Sequence, residues 1–253
     1  MFIPLHDANQ LRHIKAQFVT IALIAANVLV YLGVNLNSEA FATAATYGFG
    51  YVPVVVNDGA PAPDWLLVPE SATYLSYAFL HGNLLHLGGN MLFLWVFGDN
   101  VEDAMGHVKY LLFYLACAAA GAFVHGMIAP QSDVPLIGAS GAVAGIIAAY
   151  LLLHPKVRIW VLALGRIPLR LPAIYPLLFW VGLQIFMLLA DLEDGVSYAA
   201  HVGGLIAGGL LVLVLRRPGV PLFDREIVTP VAVEIETPPP PLEAPRWGRG
   251  REG

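Results

Sequence analysis

The 253-residue chain is 58% hydrophobic and only 12% charged, with a mean hydropathy of +0.69, well outside the range of ordinary water-soluble domains. A formal net charge of -5 and a pI near 5.9 exclude a nucleic-acid binder, because neutralising phosphates needs a basic face. The single cysteine, Cys117, lies inside an apolar run, so no intramolecular disulfide can form.

Residues 1–17 carry Arg12 and Lys15 and are expected to be a cytoplasmic N-terminal segment. The first apolar run, residues 18–34, is about long enough to cross a hydrocarbon core of ~30 Å as a helix. An alternative is a cleaved signal peptide, since Ala40-Phe41-Ala42 resembles a cleavage site, although the run exceeds a usual signal core. Residues 35–70 hold Gly48, Gly50, Pro53, Gly59, Pro61 and Pro63 and are too long and interrupted for a simple connection. Part of this loop is expected against the membrane surface through Phe41, Tyr47, Phe49, Tyr51 and Trp65. Five further apolar runs follow, at 82–98, 110–129, 136–153, 172–190 and 198–215. Inside a bilayer helix is the default, because backbone polar groups there have no water to bond. The expected fold is therefore an all-α membrane protein with six transmembrane helices in a bundle over residues 18–217. Residues 218–253, with the run Pro238 to Pro241, are expected to be a flexible cytoplasmic tail.

Charge orients the spans. All 13 Lys and Arg residues fall before span one, between spans two and three, between four and five, or after span six. The alternate loops carry only acids: Glu39, Asp58, Asp64 and Glu70, then Asp133, then Asp191, Glu193 and Asp194. The positive-inside rule puts both termini in the cytoplasm of a multi-pass integral membrane protein.

Three polar sets interrupt spans two, four and six, where ionisable or hydrogen-bonding groups are costly. They are His81, His86 and Asn90; Gly138-Ala139-Ser140-Gly141; and Ala200-His201-Val202-Gly203-Gly204. Ser140 and His201 each lie about four residues into a run, or ~6 Å at 1.5 Å per residue, and His86 is slightly deeper. All three sets thus share one depth near the outer face. Each has a plain structural explanation alone: a serine in an apolar helix commonly bonds a carbonyl one turn back. Histidines near helix ends, such as His13, His107, His125 and His154, commonly sit at headgroup level. Gly141-x-x-x-Gly145 and Gly204-x-x-x-Gly208 would let spans four and six approach closely and bring an imidazole towards a hydroxyl. His86 and Asn90, four apart, project from one helical face. His81, about 500° before His86 on a helix, points elsewhere or precedes the helix. Donors on one face would stabilise an anion in a low dielectric, as acyl transfer requires. The backbone N–H of Ser140, in the first turn after Pro135, would add another.

The residues resemble the rhomboid family over nearly all of 71–215: His81-x-x-x-x-His86-x-x-x-Asn90, Phe97-Gly98-x-x-x-Glu102-x-x-x-Gly106, Gly138-x-Ser140-Gly141, and Ala200-His201-x-x-Gly204. The resemblance implies a six-helix rhomboid-like bundle that cleaves transmembrane proteins near the outer leaflet by a Ser–His dyad, without metal or cofactor. It implies Ser140 as nucleophile, His201 as general base and then acid, and His86, Asn90 and Ser140 around the oxyanion. His81, Glu102, Gly138, Gly141 and Gly204 take supporting roles. The expected partners are transmembrane substrates and the lipid bilayer, and the expected location is a prokaryotic plasma membrane. Two departures stand out: Ala72-Thr73 replaces a usual Trp-Arg pair, and Ala144 stands where an aromatic often backs the imidazole. Asp191, Glu193 or Asp194 are candidates for an orienting third group. Competing readings are a non-catalytic rhomboid-like protein that binds membrane clients, and a haem or metal carrier using His81, His86, His125 and His201.

Overall fold

The computed structural model describes residues 2–57, 63–163, 165–190 and 195–224. Its helices, in chain order, are α1 (Phe18–Asn35), α2 (Glu39–Phe49), α3 (Pro53–Val56), α4 (Glu70–Ser76), α5 (Leu84–Met105), α6 (His107–Ile128), α7 (Ser140–Leu153), α8 (Ile174–Leu189) and α9 (Tyr198–Leu215). A helix therefore occupies each of the six apolar runs. Helices α1, α6 and α9 are long and apolar enough to cross a membrane, while α7 and α8 are apolar but shorter. Helix α5 is as long as α6, at 22 residues, and carries Asp99, Glu102 and Asp103 near its end.

Helix α7 forms the centre. Ala142, Ala144, Ile146, Ile147, Ala149 and Tyr150 are all fully buried, as expected of a helix apolar on every side. It packs against α9 through glycines: a Cβ at Gly204 would strike the Gly141 carbonyl, and one at Gly208 the Gly145 carbonyl. Such contacts bring backbones together in lipid, where packing rather than water expulsion drives association. Helix α8 is the opposite case. Only Pro176, Leu177 and Gln184 are buried on it, while Tyr175, Phe179, Phe186 and Leu189 are exposed.

The run at 136–153 is not helical throughout. Leu136 pairs with Tyr51 by two backbone hydrogen bonds of 2.8 and 3.2 Å, Gly138 takes a φ of +116°, and the helix begins only at Ser140. That pairing also corrects the reading of Tyr51 as an interfacial aromatic: it is fully buried, with its ring 4.9 Å from that of Tyr74. Phe41, Tyr47 and Trp65 remain exposed. The loop is held without the Trp-Arg pair: Ser76 Oγ donates to Phe49 O at 2.5 Å, Asn57 Nδ2 to Gly126 O at 3.1 Å, and Thr73 Oγ1 to Glu70 O at 2.5 Å.

The all-α expectation needs correcting. Strands β1 (Phe2–Asp7), β2 (Arg158–Ala163) and β3 (Ile167–Pro172) form an antiparallel sheet in that order, so the fold is mostly helical. Alternation along β2 buries Ile159 and Val161 and exposes Arg158 and Trp160, the pattern of a half-buried strand. Asp7 at the end of β1 is buried and accepts from Asn100 Nδ2 at 2.7 Å and Tyr150 OH at 2.8 Å. Burial, and then the Asp99 carboxylate, push its pKa up to about 7.

Two acids at the end of α5 tie down the N-terminal segment. Glu102, fully buried, accepts from Val19 N (3.0 Å), Thr20 N (2.8 Å) and Thr20 Oγ1 (2.7 Å), and bonds His107 Nδ1 (2.5 Å). It thereby caps α1 from another helix, satisfying amides that have no intrahelical partner. Asp103 accepts from the amides of Arg12, His13 and Ile14 at 3.0, 2.6 and 2.7 Å. On the C-terminal side, Phe223 N and Asp224 N donate to Leu152 O and Leu153 O at 2.7 and 2.9 Å. The start of the expected tail thus docks on α7, and residues 225–253 lie outside the described residues.

Candidate active site

Ser140 is the first residue of α7. The chain reaches it through Gly138, whose positive φ a residue with a Cβ rarely adopts and whose N–H donates to Tyr77 O at 3.0 Å. Gly138, Ala139 and Gly141 are buried, whereas Ser140 keeps part of its surface accessible. Among the described residues its Oγ has no hydrogen-bond partner, so the common back-bond to a carbonyl one turn earlier is not made. Its N–H, in the first turn of α7, has no partner within the helix.

His201 lies in the first turn of α9, whose start is capped by Ser197 Oγ accepting from Ala200 N at 3.2 Å. A Cβ on Gly141 would stand 3.3 Å from Ala200 O. The residues adjoining Ser140 and His201 are therefore in backbone contact, and the two side chains start from one level of the α7–α9 interface. The imidazole is nearly buried, at 7% exposure. Its Nδ1 bonds Gln184 Oε1 of α8 at 2.7 Å, and its ring lies 5.8 Å from that of Trp180 and 6.1 Å from that of Tyr198. Ala144 does not back the imidazole with an aromatic; Trp180 does so from another helix. Asp191, Glu193 and Asp194, the candidates for a third group, lie outside the described residues. Gln184 and Trp180 were not singled out from the sequence. The signal was present, since Gln184 is the lone carboxamide in run 172–190, and a polar side chain inside a span calls for a partner.

The His86 ring lies over Gly138: a Cβ there would come within 2.5 Å of Nε2 and 2.6 Å of Cε1. His86 thus faces the turn that delivers Ser140. His81 precedes the helix, because Asn83 caps α5 through its side chain, accepting from His86 N at 2.9 Å. Of the two expectations for His81, that it points elsewhere or precedes the helix, the second is the one observed. The chain reverses at Gly82 and Asn83, returning the buried His81 ring to Asn90, with Nε2 3.0 Å from Asn90 Nδ2. The same Nε2 accepts from Ala139 N at 3.5 Å, and the His81 and His86 rings are 5.0 Å apart, edge to face. Asn90 Nδ2 bears two hydrogens, so one N–H still has donor capacity beyond the bond to His81. A hydroxyl and a buried, acceptor-held imidazole that start from one level of two packed helices, with amide and imidazole groups near the turn before the serine, are the kinds of group that nucleophilic acyl transfer uses. Of the other histidines, His125 bonds Ser197 Oγ at 2.9 Å and His107 bonds Glu102, both structural roles.

A family model described as Rhomboid domain matches residues 69–218. The chain is 26% identical to Rhomboid protease GluP of Bacillus subtilis over 214 residues, 84% of this chain and 38% of the relative. It is 27% identical to Rhomboid-like protein 11, chloroplastic, of Arabidopsis thaliana over 166 residues, 63% of this chain and 58% of that one. To Rhomboid-type serine protease 2 of Emericella nidulans it is 29% identical over 169 residues, 66% of this chain and 30% of the relative. The chain thus spans less than two thirds of the length of each.

Proposed function

The chain belongs to the rhomboid family, and from that premise we propose that it is an intramembrane serine endopeptidase cleaving transmembrane proteins by a Ser140–His201 dyad. The observation that carries this reading is the glycine-locked contact of α7 and α9, which starts an accessible serine and an acceptor-held imidazole at one level. The presence of both residues favours it over the non-catalytic, client-binding alternative.

In this mechanism Ser140 Oγ attacks a substrate carbonyl while His201 Nε2 takes its proton. The oxygen that becomes negative receives hydrogen bonds from Asn90 Nδ2, from the His86 imidazole and from Ser140 N–H. These donors are fixed before the reaction, His86 over Gly138 and Asn90 by His81, so little reorganisation is needed as charge develops. The imidazolium then protonates the leaving amine, and water hydrolyses the acyl-enzyme with His201 again as base. Six membrane-spanning helices with both termini in the cytoplasm would place this chemistry near the outer leaflet. The test is incubation of the purified chain with a labelled transmembrane substrate. Wild type is expected to cleave it and Ser140→Ala is not, and turnover by the serine variant would overturn the assignment.

A further inference from the structure

We infer that Gln184 is a positioning residue for His201, fixing the imidazole tautomer in which Nε2 is the base; this rests on the dyad proposed above. Gln184 projects from α8, whose neighbouring side chains Leu183, Ile185 and Phe186 are exposed, yet it is itself only 4% exposed. A carboxamide buried in an apolar span is costly unless both its ends are satisfied. Here Nε2 donates to Trp180 O at 3.2 Å, and Oε1 meets His201 Nδ1 at 2.7 Å. A backbone carbonyl can only accept, so the Trp180 contact assigns which end of the amide is nitrogen. The oxygen must then face the imidazole. An amide oxygen accepts only, so Nδ1 carries the proton and the lone pair of the neutral ring sits on Nε2.

One turn earlier on α8, the Trp180 ring lies at 32° to the imidazole with centroids 5.8 Å apart. Two residues at i and i+4 thus hold the ring from one helix, Trp180 by its face and Gln184 by its edge. This is the orienting role that a carboxylate fills in a Ser-His-Asp triad, taken by a neutral acceptor that adds no buried charge. Among the described residues, the groups that meet the imidazole include the neutral Gln184 and Trp180 of α8 and Tyr198 of α9.

The test compares Gln184→Met, of similar length but with no acceptor for Nδ1–H, and Gln184→Glu, which still offers an oxygen. Each is assayed as the full chain on the labelled transmembrane substrate across pH, with thermal unfolding measured in parallel. Gln184→Met is expected to lower kcat about ten- to hundredfold at little-changed KM, general-base efficiency being lost with the wrong tautomer. The acid limb of its pH profile should move to lower pH, because the imidazolium loses an acceptor. Gln184→Glu is expected to retain more turnover than Gln184→Met and to move that limb to higher pH. Wild-type kcat and an unmoved acid limb in Gln184→Met would overturn the inference. Should that variant not fold, an unmoved limb in Gln184→Glu would do so. Ser140→Ala run alongside separates the two failures: if it still cleaves, the dyad reading is wrong, and if only the Gln184 variants behave as wild type, the positioning role is wrong.

Discussion

Around Ser140, three polar side chains that helix geometry would separate form one connected group, with His81 at its hub. His81 Nε2 meets both Asn90 and the Ala139 amide, whereas His86 lies directly over Gly138. His86→Ala and Asn90→Ala should each lower kcat about a hundred- to a thousandfold with KM little changed, the usual cost of losing an oxyanion donor. His81→Ala should lower kcat by releasing Asn90, and should also lower the unfolding temperature, because it empties a buried site. An unchanged kcat and unfolding temperature for His81→Ala would show that the hub holds nothing. That the segments carrying Ser140, His201 and His86 come together was legible in the sequence, since counting residues into apolar runs sets them at one level. The His81–Asn90 bond was not, because 100° per residue applies only where a helix continues, and the chain turns at Gly82. Gln184 was visible as a polar interruption, but no spacing rule links it to an imidazole across an interhelical loop.

Between elements, the decisive contact is that of α7 with α9. A Cβ at Gly204 would overlap the Gly141 carbonyl, while one at Gly209 would meet only Leu152 Cδ1 at 3.9 Å. Gly204→Ala should therefore destabilise by at least the ~1–3 kcal/mol usual for overpacking and reduce cleavage by parting Ser140 from His201. Gly209→Ala on the same helix should stay within about 0.5 kcal/mol of wild type. Thermal unfolding and turnover of the two variants check this, and equal effects would mean that helix propensity rather than close approach is at stake. The paired small-residue motifs made this contact readable in advance. The sheet was not legible because Arg158, Arg166 and Arg170 read by charge as a simple loop between spans four and five. The alternation burying Ile159 and Val161 and the turn glycine Gly165, at φ +68°, were its signal.

For the whole molecule, the proposed mechanism needs its site on the outer side of the membrane, the orientation that the positive-inside rule leads one to expect. Basic residues occupy β2 and β3, the segment before α1 and the segment after α9, while the loop before α7 carries only Asp133. Cys117 is fully buried, which leaves little native background for a thiol reagent. A cysteine at Asp133 should label with an impermeant reagent from outside intact cells, and one at Arg166 should not. The reverse pattern would put the site on the cytoplasmic side. Six helix positions and the end of α1 near residue 35 were legible because hydrophobic length dictates them. The docking of β1 and of residues 217–224 onto the bundle was not, since it depends on scattered partners such as Asn100, Tyr150 and Leu153. Whether Ser140 and His201 act as one unit is decided by turnover of a labelled transmembrane substrate by Ser140→Ala, His201→Ala and the double variant. Each single change is expected to abolish cleavage in a folded protein, and the double change to cost no more than either alone. Additive losses, or cleavage surviving in either single variant, would contradict that expectation.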